Sequence, residues 1–157
     1  MNLQKIATIS TLVIAGVVVS PLVQAQGSSG GKSLTPNEMK RGDSSVLPKG
    51  VKTTLLIGDP KVGAYVTRVQ LPANAKIMPH SHPTENLVTV LSGTLLYGEG
   101  DKFDAKKMKP YPAGSFIVET PNSPHFMTAK GAVVFQVSIP AKSSFDYVDP
   151  KDDPRKK

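Results

Sequence analysis

At 157 residues the chain has room for one domain and a targeting segment. It has no cysteine, which excludes disulfides, thiolate chemistry and cysteine-ligated zinc or iron–sulfur centres; any metal must be held by imidazole, carboxylate, carbonyl or amide groups. The formal charge of +7 is scattered except over Lys102–Lys109 and Arg155-Lys156-Lys157, both of which read as solvated surface, so no nucleic-acid partner is expected.

Residues 1–25 read as a secretory signal peptide. Lys5 precedes an apolar run from Ile6 to Val19, Ser20-Pro21 breaks that run, and Val23-Gln24-Ala25 offers small residues for cleavage near Ala25. The run is 14 residues long, short of the roughly 20 needed to span a bilayer, and no cysteine follows it to carry a lipid. A periplasmic or secreted protein with no stable membrane anchor after cleavage is the expectation. Gly27-Ser28-Ser29-Gly30-Gly31 has linker composition, and residues 26–49 are expected to form a linker and N-terminal arm. Gly31-Lys32-Ser33 imitates part of a phosphate loop, but the first glycine of that motif is missing (Gln26) and no strand precedes it.

From about Val51 the chain takes up a strand rhythm. Thr53–Ile57 ends at Gly58-Asp59-Pro60, and Ala64–Leu71 alternates with period two. Ile77–His82 is bracketed by Pro79 and Pro83. Leu87–Leu91 and Thr94–Tyr97 flank Ser92-Gly93, which reads as a hairpin turn. Pro112-Ala113-Gly114 leads into Ser115–Glu119, Pro121-Asn122-Ser123-Pro124 leads into His125–Thr128, and Ala132–Ile139 is the last long strand. Only Asp101–Lys109 looks helical, with Asp101 as cap and Pro110 as stop. Short strands punctuated by turns imply an all-β sandwich or barrel over residues 50–140, with a C-terminal arm and tail over 141–157 packing along it as an arm or edge strand.

The chain has three histidines. His80 and His82 stand at i and i+2 of a strand, so they project from one face about 7 Å apart at the backbone, close enough to converge on one ion. His125 opens another strand after a proline-rich turn, where a neighbouring strand can deliver it as a remote third ligand. Strict alternation puts Asn86 on the face of the two histidines and turns Glu85 away, although Pro83-Thr84 can break that phase. Gln136, Tyr97, Phe126, Met127 and Phe116 are candidates to wall a cavity. Glu119 is an acid near the site that reads as facing outward.

The stretch Pro79-His80-Ser81-His82-Pro83-Thr84-Glu85-Asn86, followed by Val90-Leu91-Ser92-Gly93, resembles the first motif of the cupin superfamily. Pro112-Ala113-Gly114 followed by Pro124-His125 resembles the second. The resemblance covers about Val51–Ile139, and the ending Phe145-Asp146-Tyr147-Val148-Asp149-Pro150 with Asp152-Asp153-Pro154-Arg155 is similar to that of a group of small cupins. It implies a single-domain cupin β-barrel (double-stranded β-helix, or jelly roll) holding one divalent ion, Fe, Mn, Zn or Ni, through His80, His82 and His125. The family's glutamate usually stands four or five residues beyond the second histidine. Here Glu85 is three beyond and Asn86 four, so either can complete the site. Three neutral imidazoles leave the ion's charge uncompensated and favour an anionic ligand, whereas a carboxylate ligand suits a harder ion.

The resemblance further implies a small-molecule ligand and a homodimer. A metal-dependent oxygenase, isomerase or decarboxylase acting on a small organic, anionic substrate is the leading function; a non-catalytic module that binds or senses a metal or small molecule is the alternative. No catalytic residue beyond the ligands is identified.

Overall fold

In a computed structural model that describes residues 31–157, the alternating segments close into two facing antiparallel sheets. The signal-peptide expectation and most of the expected linker lie outside the described residues. The strands are β1 (Gly42–Asp43), β2 (Lys52–Gly58), β3 (Tyr65–Leu71), β4 (Lys76–Ser81), β5 (Asn86–Ser92), β6 (Thr94–Glu99), β7 (Lys109–Pro112), β8 (Phe116–Glu119), β9 (His125–Ala129), β10 (Val133–Ile139) and β11 (Asp146–Tyr147). One sheet has six strands in the order β1-β2-β3-β10-β5-β8, the other five in the order β11-β4-β9-β6-β7. This is the all-β jelly roll that the sequence motifs imply. Among the described residues no helix is long and apolar enough to cross a membrane.

Period-two alternation fills the space between the sheets. Val69 and Leu71 of β3, Val88 and Val90 of β5, Leu95 of β6, and Val133 and Phe135 of β10 are almost completely buried and belong to one apolar cluster. Each such side chain contributes about 1.5–3 kcal/mol by leaving water.

Three local expectations change. Ser92-Gly93 is a corner and not a hairpin turn, because β5 pairs with β8 and β10 while β6 pairs with β7 and β9. Gly93 carries the chain from one sheet to the other at φ 75°, and a Cβ there would meet the Ala132 carbonyl oxygen at 2.4 Å, so the corner requires glycine. The helix expected over Asp101–Lys109 shrinks to one 3-10 turn, Ala105–Lys107, capped by Asp104; so short a segment with no buried face cannot support a longer helix. Pro110 stands inside β7, an edge strand of the five-stranded sheet, where a missing N–H costs no ladder bond.

The terminal arms supply the outer strands β1 and β11. Tyr147 of β11 donates its hydroxyl to the Val46 carbonyl at 2.9 Å and so ties the two arms together. Burial, and then the Asp153 carboxylate, push this phenol up to about 12. An unfolded tyrosine ionises near pH 10, so Tyr147's contribution to stability is complete below about pH 10 and is lost as pH rises from there through 12. An ultraviolet titration should find a tyrosinate signal near pH 12 that Tyr147→Phe removes; a Tyr147 that ionises at pH 10 would contradict the buried contact.

Candidate metal centre

The two sheets each bring one cross-strand pair to the same place. In the five-stranded sheet His80 of β4 stands directly opposite His125 of β9, with His82 one residue past the end of β4. In the six-stranded sheet Asn86, the first residue of β5, stands opposite Glu119, the last of β8. A register shift between Ile77 and His80 matters here: these residues are three apart and would point to opposite faces of a regular strand, yet both line the interior. The irregularity re-phases the alternation so that the histidines replace core aliphatics.

The three rings lie with centroids 4.3 Å (His80–His125), 5.1 Å (His80–His82) and 5.3 Å (His82–His125) apart, and their ligand nitrogens lie within 4.8 Å of one another. Every Nδ1 faces a main-chain carbonyl: His80 the Met78 oxygen at 2.8 Å, His82 the Ser144 oxygen at 2.8 Å, His125 the Ser123 oxygen at 3.0 Å. Carbonyls only accept, so each Nδ1 carries the hydrogen, and in the neutral ring each Nε2 presents a lone pair. The backbone thus selects the ligand tautomer. The loop before His125 is itself anchored, with Asn122 N–H donating to the His82 carbonyl at 2.6 Å and Gly100 N–H to the Pro124 carbonyl at 2.8 Å.

Glu119 faces this cluster. Its Oε1 is 3.3 Å from His125 Nε2 and its Oε2 is 3.8 Å from His82 Nε2. The shorter contact is not aligned as a hydrogen bond, and His125 Nε2 is buried with no hydrogen-bond partner among the described residues. Asn86 donates from Nδ2 to Glu119 Oε2 at 3.2 Å, and its own Oδ1 accepts from Thr84 Oγ1 at 3.0 Å. Thr84 is in turn 2.7 Å from Ser143 Oγ in the C-terminal arm. Burial, aided by the other two rings, holds His80 well below its ordinary value, and burial lowers His82. Burial would also lower His125, but the Glu119 carboxylate outweighs it and raises that ring. Burial alone would raise Glu119; His125, His82 and Asn86 reverse this and keep it ionised.

The C-terminal arm closes the site from one side. Besides the Ser144 carbonyl it brings the Phe145 ring, stacked on His80 at 4.0 Å and 10°, and Tyr147 opposite His80 in the β11–β4 ladder. Above the histidines and Glu119 a cavity of about 560 Å³ is lined by Asn86, Val69, Ile77, Met127, Phe135 and Phe145 among others.

Several sequence expectations change at this site. Glu85 is exposed and lines a separate outer groove with Ile57 and Leu87, so it is not brought to the histidines; the alternation that turns Asn86 inward turns Glu85 out. Glu119, expected on an outer face, points inward. Asn86 is brought to the site, as a partner of Glu119 and part of the cavity wall. Gln136 faces outward and accepts from Arg68 Nη2 at 2.9 Å, because its neighbours Phe135 and Val137 are the inward residues of β10. Phe126 is fully buried, but on the outer side of its sheet against Phe103 and Gly98, while Phe116 is 57% exposed. Tyr97 is buried behind His125, stacked on it at 5.4 Å, and reaches the site through that ring.

A family model described as the ChrR cupin-like domain matches residues 44–142. Among solved structures, the polyketide cyclase RemF from Streptomyces resistomycificus superposes with a TM-score of 0.68 at 20% identity, covering 81% of this chain and 92% of that one. The acetylacetone dioxygenase from Acinetobacter johnsonii gives a TM-score of 0.60 at 13% identity, over 80% and 82% of the two chains. An RmlC-like cupin from Ralstonia eutropha gives 0.60 at 19% identity, over 80% and 77%. At these identities the likeness speaks to fold alone. No curated protein matches the chain.

Proposed function

Since this chain belongs to the ChrR cupin-like domain family, we propose that it is an exported, metal-dependent enzyme acting on a small organic molecule at a divalent ion held by His80, His82, His125 and Glu119. The observation that carries this reading is the set of three tautomer-fixed, clustered imidazoles, two of which, His82 and His125, bring Nε2 within 3.8 Å of a buried carboxylate. Two donors each about 2.1 Å from one ion stand about 3.0–3.4 Å apart, and the contact between Glu119 and the unpartnered His125 Nε2 has that length. Three imidazoles and one carboxylate suit Mn, Fe, Ni or Zn. Such an ion supplies a Lewis acid or a redox centre. The chain's own part is to fix the donors, to hold Glu119 ionised through His125, His82 and Asn86, and to surround the centre with apolar walls.

Protein recovered from the export compartment should lack its first 25 or so residues and carry about one equivalent of metal by elemental mass spectrometry. His125→Ala should lose most of that metal; full occupancy in this variant would remove His125 from the ligand set. Turnover or oxygen consumption by the loaded protein on small acids, phenols and ketones separates an enzyme from a binding module, which would load metal and bind without turnover.

Pairing of two copies belongs to the same reading. Phe116 and Val118 are exposed on β8, which ends the six-stranded sheet with one edge unpaired among the described residues, and apolar side chains at an open edge favour a partner. Light scattering should return twice the chain mass; a monomer at micromolar concentration would rule this out.

A further inference from the structure

The cavity over the centre is built unevenly. His80, His82, Glu119 and Asn86 line it at the centre, Arg155 and several serine hydroxyls from the two terminal arms line it as well, and much of the remaining wall is hydrocarbon. Val69, Ile77, Met127 and Phe135 line it with no more than 4% exposure each, and Val137 extends the wall. Thr67 also lines it, but its hydroxyl is spent on the Thr54 carbonyl at 3.2 Å. The volume of about 560 Å³ lies in the range of small-molecule sites.

A polyhydroxylated body would press hydroxyls against this wall, where they lose water and gain no partner. A second acidic group would leave a charge against the same surface, at a still higher cost, because the one guanidinium among the described lining residues, Arg155, is already paired with Asp153. At the centre the balance differs. A divalent ion with three neutral imidazoles and one carboxylate retains one positive charge, which a single anionic oxygen neutralises.

Resting on the metal reading above, we propose that the substrate is a monoanion with a mostly hydrocarbon body: one acidic oxygen head (carboxylate, phenolate or enolate) at the centre, and an alkyl or aryl body against Val69, Ile77, Phe135 and Val137. Sugars and short dicarboxylates are thereby disfavoured.

The test is calorimetric and needs no turnover. The purified protein is loaded with Zn(II), its zinc content is counted, and it is titrated with acetate, butyrate, hexanoate, oxalate and gluconate. Burying one methylene is worth about fourfold in affinity, so hexanoate should bind up to about two-hundredfold more tightly than acetate, with gluconate and oxalate no tighter than acetate. Val137→Thr should weaken hexanoate several-fold and leave acetate unchanged. A protein that takes up zinc but shows a flat series, or that prefers gluconate or oxalate, overturns the substrate class and leaves the metal centre standing. Failure to take up zinc or any other divalent ion overturns both.

Discussion

Glu119→Gln is expected to weaken divalent-metal binding by at least about tenfold, whereas Glu85→Gln changes it by less than twofold. Removing even an indirect partner of a metal ligand commonly costs ten- to a hundredfold in affinity, and here the carboxylate itself lies 3.3 and 3.8 Å from two ligand nitrogens. The substitution preserves shape, so its effects on stability should separate by state. Without metal, Glu119 is a buried carboxylate that is 3% exposed, and His125, His82 and Asn86 more than offset its desolvation, holding its carboxyl below the usual range. The metal-free variant should therefore melt modestly below the parent temperature at neutral pH. With metal in excess the gap widens, because stabilisation by a ligand grows with the logarithm of its concentration over its dissociation constant. Thermal melts with and without Mn(II) or Zn(II), together with chelator competition, test both halves. Equal metal affinity in Glu119→Gln and the parent would take Glu119 out of the site.

The contrast between these two glutamates shows what the sequence made legible. Two histidines at i and i+2 and a third after a proline turn were enough to name the cluster, because strand alternation fixes the face of the first two. The same alternation also pointed Glu85 outward and Asn86 inward; Glu85 was a candidate only as a glutamate close to the family's usual position, one residue short of it, with Pro83-Thr84 able to break the phase. Glu119 was hidden by its strand. In Phe116-Ile117-Val118-Glu119 the more conspicuous apolar pair is Phe116 and Val118, yet these face solvent while Ile117 and Glu119 face in. Its partner Asn86 lies 33 residues earlier, and a pairing at that distance is set by sheet topology, which no local pattern encodes. Phe126 and Gln136 mislead in related ways. Phe126 is buried without facing the barrel interior because the Phe103 segment covers the outside of its sheet, and Gln136 lies between two inward residues of β10. The register irregularity at Ile77–His80 has one local signature, Pro79, since a proline within an interior strand belongs at a bulge; without the irregularity Ile77 and His80 could not both face inward.

Removal of residues 141–157 is expected to cost ten- to a hundredfold in metal affinity, although none of these residues is a histidine or a proposed ligand. The arm acts on ligands from behind. The Ser144 carbonyl holds the His82 Nδ1 hydrogen, and Phe145 stacks on His80. Arg155 keeps this segment in place by donating from Nη2 to the Phe145 carbonyl at 2.9 Å while it pairs with Asp153. Without the arm His82 loses the contact that selects its tautomer, and both rings gain freedom that metal binding must then remove. Point variants divide the effect. Ser144→Ala keeps the carbonyl and should leave affinity within about twofold. Phe145→Ala removes a half-buried ring that also packs against the core, so it should cost about 2 kcal/mol of stability, which lowers the melting temperature by roughly 4–8 °C in a domain of this size. It should also weaken metal binding through a looser His80. A truncated chain that remains folded by circular dichroism and binds Zn(II) as tightly as the parent would show that the barrel alone orients its histidines, and would leave the arm no part in the site.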